Sequence, residues 1–362
     1  MTTTAITAET VLNREAAAPT QLRVAEDQAM IRTAARLTRD LHAPRAAIYW
    51  ADFLASALTG YAATAGALFA GSMPLALLCA GIAILALYRA GSFIHELTHL
   101  RPAAVPGFKT AWNMLIGVPL LIPSFMYDGV HNLHHMPRRY GTKDDPEYLP
   151  LALMKPWTVP LFVVVSALAP LALIVRYGLL APLSAVIPPL RRMVVARYSG
   201  LVINPEFRRR PAEGAALREW RLLETFAAIW AMGLIIMIVS GIVPLRAAVI
   251  VLAIVSGTMM LNQVRTLAAH LWANDGEVMG VTAQYLDSVN VPPPASLPAL
   301  WAPVGLRYHA LHHLLPGLPY HALGEAHRRI TAELAPESRY HEASYRSLST
   351  LIGRLVASTL RR

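Results

Sequence analysis

Residues 75–99 read LALLCAGIAILALYRAGSFIHELTH, and this stretch decides the fold. Its first part, 75–94, is apolar apart from Arg89 and is long enough to cross a bilayer as one helix, since about 20 apolar residues suffice. A pair of histidines, His95 and His99, follows where that helix leaves the membrane. We expect Arg89 to extend along the helix to the headgroups. The stretch therefore predicts a membrane helix that presents two imidazoles at one membrane face.

Three further apolar runs complete a predicted pair of helical hairpins. Residues 53–73 are uncharged and lead through a tight turn at 70–74 into the helix just described. Residues 225–242 and 247–264 form a second such pair, which delivers His270 to the same face. The fold class predicted is an all-α membrane protein with four transmembrane helices in two hairpins, capped by a cytosolic helical domain that carries the histidines.

The distribution of arginine predicts the orientation of the chain. Residues 191–224 contain eight Arg and four Glu, whereas the hairpin turns contain one Arg. Positive loops stay in the cytosol, which places all the histidine clusters there. Residues 112–125 are too short to span, and residues 157–190 are interrupted by prolines, so we expect both to be interfacial or re-entrant.

Composition sets further limits. Hydrophobic residues make up 55% and charged residues 15% of the 362 residues, which is typical of a membrane protein. The net charge of +10 suits anionic lipids or an acidic electron-transfer partner, or reflects topology alone. We expect no nucleic-acid partner. The single cysteine, Cys79, excludes an intrachain disulfide and a protein-held Fe–S cluster.

The chain divides into three predicted segments. Residues 1–47 form a polar cytosolic N-terminal segment without the apolar core of a signal peptide. Residues 48–340 form the membrane domain, and residues 341–362 form a cytosolic C-terminal tail. We expect a multi-pass integral protein of a bacterial inner membrane, with the active site and both termini in the cytosol.

The histidine spacing predicts a metal centre. Residues three or four apart share one face of a helix, so each tight cluster can direct its imidazoles at one point. Eight of the thirteen histidines fall into such clusters, and His270 is a ninth candidate because it follows its span as His95 does. So many imidazoles exceed the coordination of one ion, which implies two metal ions, although imidazole alone does not identify the metal. The candidate ligands are His95, His99, His131, His134, His135, His270, His309, His312 and His313.

Other residues near the clusters are assigned more weakly. Asp128 lies three residues before His131, and we expect it to accept a hydrogen bond from a ligand imidazole. The sequence does not identify substrate-binding residues. The remaining histidines are expected to be ordinary surface or packing residues; they are His42, His321, His327 and His341.

The order of the motifs resembles the integral-membrane fatty acid desaturase and hydroxylase superfamily. The motifs are HELTH at 95–99, HNLHH at 131–135, RTLAAH at 265–270 and HALHHLLPGLPY at 309–320. The resemblance implies two iron ions held by the nine histidines, O₂ as co-substrate, and removal of two hydrogens from a lipid acyl chain. It also implies electrons from a ferredoxin or a cytochrome b5 type protein, which must be separate because no haem-binding segment is present. Thr266 stands where some relatives have asparagine, so the sequence departs from their pattern at this position.

Several alternatives stay open. The product of the same superfamily can be an alcohol or a ketone, so a hydroxylase or ketolase acting on acyl, sphingoid or carotenoid lipid is possible. From another class, His95-Glu96-Leu97-Thr98-His99 also matches the motif of zinc metalloproteases, with Asp275 as a distal ligand. That reading leaves both HxxHH clusters without a role. A metal transporter is the third class, and its histidines would lie within the spans.

Overall fold

The computed structural model describes residues 26–295 and 297–361, and within these ranges the chain forms helices and isolated bridges without a β-strand. The predicted all-α class is confirmed. Residues 26–37 are helical. The α-helices that follow are α1 Ala46–Phe69, α2 Met73–His99, α3 Phe108–Trp112, α4 His131–His134, α5 Thr158–Val164, α6 Ala169–Val175, α7 Ala181–Val186, α8 Pro188–Tyr198, α9 Gly214–Val239, α10 Leu245–Leu267, α11 Val281–Asp287, α12 Pro298–Trp301, α13 His309–Leu314, α14 Leu323–Glu333 and α15 Leu348–Leu360.

Short helical turns of other types connect these helices. Two are π-helical, Asn113–Gly117 and Arg176–Leu180. The 3₁₀ turns are Arg39–Leu41, Ser124–Met126, Leu151–Leu153, Val165–Leu168, Tyr320–Ala322 and Arg339–Ala343.

Helices α1 and α2 form the first predicted hairpin and pack along their length. Glycine permits their close approach, because a Cβ atom on Gly60 would lie 2.6 Å from the Leu87 side chain. Likewise, a Cβ atom on Gly257 of α10 would lie 2.6 Å from the side chain of Ile84 on α2. Small residues at helix contacts are a common way to pack membrane helices tightly. The hairpin ends at His95 and His99.

Four helical stretches in the described chain are long and apolar enough to cross a membrane: α2, residues 158–186, α9 and α10. Four is also the predicted number of spans, but these are candidates by length and composition, and the membership differs. Helix α1 is not among the four, because Asp52 and its Gly, Thr and Tyr residues lower its mean hydropathy. The run Thr158–Val186 is included although we expected prolines to interrupt it.

The prolines do not break this run because of where they sit. Pro170 and Pro182 each occupy the first turn of a helical segment, α6 and α7, where the missing N–H is not needed. The resulting 29-residue run lies between the arms of the second predicted hairpin: α9 packs on Arg176–Leu180 and α10 on Val165–Leu168. The hydroxyl of Ser256 donates to the carbonyl of Ala167 across 2.7 Å. The second hairpin is therefore opened by an inserted helix.

The chain segments before residue 158 and after α8 both lie on the histidine side of the molecule. Before residue 158, the N–H of Ala152 donates to the carbonyl of Trp272, two residues after His270. After Val186, α8 doubles back and the N–H of Leu201 donates to the carbonyl of Met126. These contacts favour the expected re-entrant course over a complete crossing. Phe108–Gly117 spans only ten residues, about 15 Å of helix, which is too short to cross.

Arg89, which we expected to extend to the headgroups, pairs with a carboxylate of the protein. Its guanidinium pairs with Asp52 on α1, with N–O distances of 2.7 and 2.5 Å. The hydroxyl of Tyr320 donates to the same carboxylate across 3.0 Å. The hairpin places Asp52 opposite Arg89, and pairing satisfies both charges within the protein. The segment that follows the last histidine cluster is thereby attached to the first hairpin.

The tails pack against the histidine-bearing part of the molecule. Residues 1–25 of the predicted N-terminal segment lie outside the described residues, but Met30 and Ala34 are buried beside α13 and α14. At the other end, α15 buries Leu351 and Leu355 and contacts Leu151–Leu153. The proposed division into segments 1–47, 48–340 and 341–362 stays a prediction.

Candidate metal centre

Short helices and helix ends position the nine predicted histidines. His95 and His99 share one face at the end of α2, and α4 carries His131 and His134, followed by His135. Helix α13 supplies three more, and His270 lies three residues beyond α10. The spacing of three or four residues thus turns the imidazoles of each motif toward a common interior.

The structure brings these side chains together in two adjoining clusters. Within each cluster, one ring nitrogen from every member lies within 4.8 Å of those of the others. The first cluster consists of His95, His99, His131, His135 and His312. The second cluster consists of His134, His270, His309 and His313. His135 of the first cluster stacks on His313 of the second, with ring centroids 4.3 Å apart, so the clusters form one site.

The ring nitrogens converge too closely to be packing contacts alone. In the first cluster the Nε2 atoms of His131 and His135 are 2.9 Å apart. In the second, the Nε2 atom of His270 is 3.2 Å from that of His134 and 3.1 Å from that of His309. Several imidazole nitrogens pointing at one centre is the arrangement of a metal site.

Unpartnered nitrogens provide an independent test of fit. Both ring nitrogens of His95 and the Nε2 atom of His99 are buried and have no hydrogen-bond partner among residues 26–295 and 297–361. Leaving buried polar atoms unpaired is unfavourable. A cation bound at the cluster would take up the lone pair of one ring nitrogen on each imidazole, so the residues present fit a metal. The assignment of each histidine as a ligand stays a prediction.

Carboxylates orient two of the imidazoles. The Nδ1 atom of His134 lies 2.9 Å from Asp145, whose side chain is fully buried. The Nδ1 atom of His131 lies 2.9 Å from Glu147 and also 2.9 Å from the hydroxyl of Tyr127, which donates to Glu147. An acceptor on Nδ1 fixes the tautomer and directs Nε2 into the cluster.

His270 is held by a chain of hydrogen bonds. Its Nδ1 atom lies 2.8 Å from the hydroxyl of Tyr140, and that hydroxyl donates to the buried carboxylate of Asp287 across 2.7 Å. The hydroxyl of Ser288 lies 3.2 Å from the same Nδ1 atom. Our interpretation of the sequence missed Asp287 and Tyr140, because they lie far from His270 or from each other along the chain, Asp287 at the end of α11 and Tyr140 in a turn.

Burial keeps most of these imidazoles neutral. It is the largest cause that lowers the pKa well below the ordinary value for His131, His135, His270, His309, His312 and His313. Burial also acts to lower the pKa of His134, but the charge of Asp145 and its hydrogen bond outweigh burial and raise it. A neutral imidazole is the form that binds metals.

We expected Asp128 to contact a histidine, and it does not. Its carboxylate accepts from Lys109 across 2.7 Å. Gly129, with a φ of 70°, turns the chain between Asp128 and the histidine motif, which explains the different direction. Asp145 and Glu147 make the contact with a histidine that we predicted for Asp128. The run Asp144-Asp145-Pro146-Glu147, shortly after the motif, was the available signal.

The arrangement does not suit a zinc protease. Glu96 would have to face a metal-bound water, but its carboxylate accepts from the Tyr49 hydroxyl across 2.5 Å and from the N–H of Tyr320 across 3.1 Å. Asp275 is exposed and is not a member of either cluster. His95 and His99 share their cluster with three further histidines.

The other four histidines lie outside both clusters. The Nδ1 atom of His42 lies 3.3 Å from the carbonyl of Gly317, and His321 accepts from the N–H of Arg45. His327 packs beside Tyr340, and His341 lies 3.1 Å from the carbonyl of Ala335. Their predicted role as surface or packing residues agrees with these contacts.

The sequence is similar to that of known proteins. The family model described as fatty acid desaturase matches residues 71–346. A curated protein named ceramide hydroxylase, from Caulobacter vibrioides (strain NA1000 / CB15N), is 48% identical to the chain over 333 residues. That alignment covers 92% of this chain and 95% of the relative. No solved structure is significantly similar to the chain.

Proposed function

Because the chain belongs to the fatty acid desaturase family, we propose that it is a membrane di-iron oxygenase that hydroxylates a ceramide. That it is a membrane oxidoreductase follows from the family. The finer assignment rests on one observation, the 48% identity to a ceramide hydroxylase along 92% of the chain. Our first expectation, desaturation of a fatty acyl chain, becomes the second candidate and is supported by the description of the family.

The two clusters fit one iron ion each. Five imidazoles surround the first position and four surround the second. Glu147 and Asp145 contact the Nδ1 atoms of His131 and His134 on the side of each ring that faces away from the cluster. Bound iron would supply the O₂-dependent oxidation of an unactivated C–H bond, which acid–base groups cannot break. The protein holds the imidazoles neutral, orients them through Asp145, Glu147 and Tyr140, and keeps the centre buried.

Hydroxylation and desaturation differ in what happens to the lipid chain. In hydroxylation one hydrogen on carbon is replaced by a hydroxyl group, and in desaturation two hydrogens leave adjacent carbons. Both reactions use the same metals, O₂ and two external electrons, so the histidines do not distinguish them. The placement of the lipid relative to the clusters decides the product.

We also propose a separate electron donor of the ferredoxin or cytochrome b5 type. A groove of about 390 Å³ borders Leu133, which lies between His131 and His134 in sequence, and its wall includes Arg139, Arg208 and Arg210. Arg208 and Arg210 are exposed. A positive surface beside the metal centre suits an acidic redox protein. This groove would face the cytosol of a bacterium, with the apolar helices in its inner membrane.

The test is expression in a host that contains ceramide, followed by mass spectrometry of the lipids. We expect a gain of one oxygen in ceramide with the wild-type protein. His312→Ala should abolish the gain, and His42→Ala, an exposed histidine outside the clusters, should retain it. A loss of two hydrogens that depends on His312 would assign the protein as a desaturase. Ceramide unchanged by an iron-loaded protein, supplied with electrons, would overturn the proposed function.

A further inference from the structure

Four exposed arginines lie where two helices adjoin the apolar part of the molecule, and the mechanism gives them no role. Arg192 and Arg197 belong to α8, and Arg218 and Arg221 lie near the start of α9. None of the four forms an ion pair within residues 26–295 and 297–361. Their charges are therefore available to a partner outside the chain.

An ion pair joins the two helices. Arg191 of α8 donates to the carboxylate of Glu224 on α9 across 2.7 Å. Arg176, in the run 158–186, donates to the same carboxylate. Arg192 follows Arg191 directly, and Arg221 lies one turn before Glu224, so arginines of both helices lie beside one ion pair.

Both helices adjoin apolar surface at this level. Helix α8 begins two residues after the run Thr158–Val186 ends, and Val186 is 76% exposed. On α9 the side chains of Leu222 and Phe226 follow the arginines and are 56% and 51% exposed. Large apolar side chains that are so exposed on candidate spans are suited to contact lipid. The arginines thus lie at the boundary between apolar and polar surface, which is the depth of the phospholipid headgroups.

The outer face of α8 combines an apolar side chain with two cations. Val194 and Val195 are buried and mark the face that packs on the protein, and Met193 on the other face is exposed. A helix turns by about 100° per residue, which places Arg192 and Arg197 on opposite sides of Met193. An apolar strip flanked by cations is typical of a helix that lies in a membrane interface.

We propose that these four arginines bind the phosphate groups of anionic phospholipids, with α8 lying in the membrane interface. A guanidinium donates two parallel N–H groups to phosphate oxygens, and clustered cations next to a span are attracted to an anionic leaflet. An acidic soluble protein would leave Met193 and Leu222 without an apolar partner, whereas a bilayer covers both. This surface does not depend on which reaction the metal centre performs.

The lipid surface adjoins the groove that we assign to the electron donor. The N–H of Arg209, which lines that groove, donates to the carbonyl of Ala196 in α8 across 2.9 Å. Binding of α8 to headgroups would therefore hold the groove close to the membrane surface. The two basic surfaces use different arginines, since the groove presents Arg208 and Arg210, so their variants should change different measurements.

The first experiment measures lipid selectivity of the full chain in bilayers of phosphatidylglycerol and phosphatidylcholine in equal amounts. Spin-labelled lipids report the association of each lipid with the protein surface. The variants each remove two exposed arginines and are Arg192→Gln/Arg197→Gln, Arg218→Gln/Arg221→Gln and, as the control outside α8 and α9, Arg32→Gln/Arg346→Gln. We expect the first two to lower the preference for phosphatidylglycerol by roughly two- to fivefold and the control to retain it. High salt should weaken the preference of the wild type.

The second experiment measures the depth of α8 without changing an arginine. A nitroxide is attached to Met193→Cys in a Cys79→Ala background, which removes the single native cysteine. If α8 lies in the interface, the nitroxide should be more accessible to O₂, which partitions into the bilayer, than to a polar nickel chelate.

Three results would overturn the inference. One is a wild-type preference for phosphatidylglycerol in both arginine pairs; if one pair fails to fold, the other decides. Another is a nitroxide at position 193 that the nickel chelate reaches more readily than O₂. The third is a loss of donor-dependent turnover in Arg192→Gln/Arg197→Gln with unchanged lipid selectivity, which would assign this surface to the acidic donor.

Discussion

The Nδ1 atom of His134 and a carboxylate oxygen of Asp145 lie 2.9 Å apart in the interior of the protein. Asp145 also accepts from the N–H groups of Gly141 and Glu147, so its carboxylate is held in place by the loop that contains it. The loop thereby fixes the ring of His134 with its Nε2 atom toward the second cluster. Metal binding at that cluster should depend on a residue that does not touch the metal.

Asp145→Asn tests this dependence. Loss of the charge on the acceptor should weaken iron binding at the second cluster by about 10- to 100-fold, because imidazole basicity and orientation both depend on it. Competition with a chelator measures the affinity. Asp144→Asn is the matched control, since Asp144 is exposed and lies one residue away. Equal iron affinity in the two variants would contradict the role given to Asp145.

Acidification should release the iron and destabilise the metal-free protein. Burial lowers the pKa of His131, His270 and His312 well below the ordinary value near 6.5, so these rings stay neutral where the unfolded chain is protonated. Their contribution to stability is therefore present above about pH 6.5 and is lost as the pH falls below it. Burial acts to lower the pKa of His134, but Asp145 raises it, so His134 affects stability in the opposite direction. The pKa is lowered for six histidines, the three just named together with His135, His309 and His313, so their effect is the larger one.

The measurement is iron content, together with thermal unfolding of the metal-free protein, between about pH 7.5 and pH 5. Both should decline on the acidic side. A profile that stays flat, or that rises with acid, would show that the histidines are not buried as neutral ligands.

Packing of the first hairpin gives a prediction about stability. Gly60→Ala places a Cβ atom 2.6 Å from the Leu87 side chain and 3.2 Å from its backbone nitrogen, so that side chain must move and the two helices must shift slightly apart. We expect a loss of about 1–3 kcal/mol in the free energy of unfolding, which is typical of overpacking. The control is Gly91→Ala in α2, where no atom lies within 4 Å of the added Cβ. Similar thermal stability of the two variants in detergent would contradict this view of the hairpin.

The basic groove predicts how electrons reach the site. Replacing Arg208 and Arg210 together by glutamate should lower the turnover rate at limiting electron donor by roughly tenfold, because charge attraction accelerates encounter. Turnover with a small chemical reductant should be unchanged. Arg346→Glu, an exposed site that does not line the groove, serves as the control. The docking proposal fails if the donor-dependent rate is the same in all variants.

The histidines could be predicted from the sequence because their spacing is a local property. Three or four residues fix a shared helix face before any tertiary contact forms, and His270 was recognised by its place after an apolar helix. All nine predicted residues lie in the two clusters. The division into five and four could not be predicted, because α4 contributes to both clusters.

The residues that orient the histidines depend on tertiary structure. Tyr140 and Asp287 are 147 positions apart, and no local pattern joins them. Asp128 was closer in sequence to the histidine motif than Asp145, yet a single glycine turn directs it to Lys109. Arg89 was expected to reach the headgroups because its partner, Asp52, lies just before the uncharged run that we took as the first span. Proximity along the chain was therefore a poor guide to charged partners.

The most direct test of the account is the iron content of the purified protein and of one variant in each cluster. We predict about two irons per chain in the wild type, and about one in His312→Ala, which alters the first cluster, and in His313→Ala, which alters the second. A single tightly bound zinc, or the same iron content in all three proteins, would contradict a di-iron centre built from these two clusters.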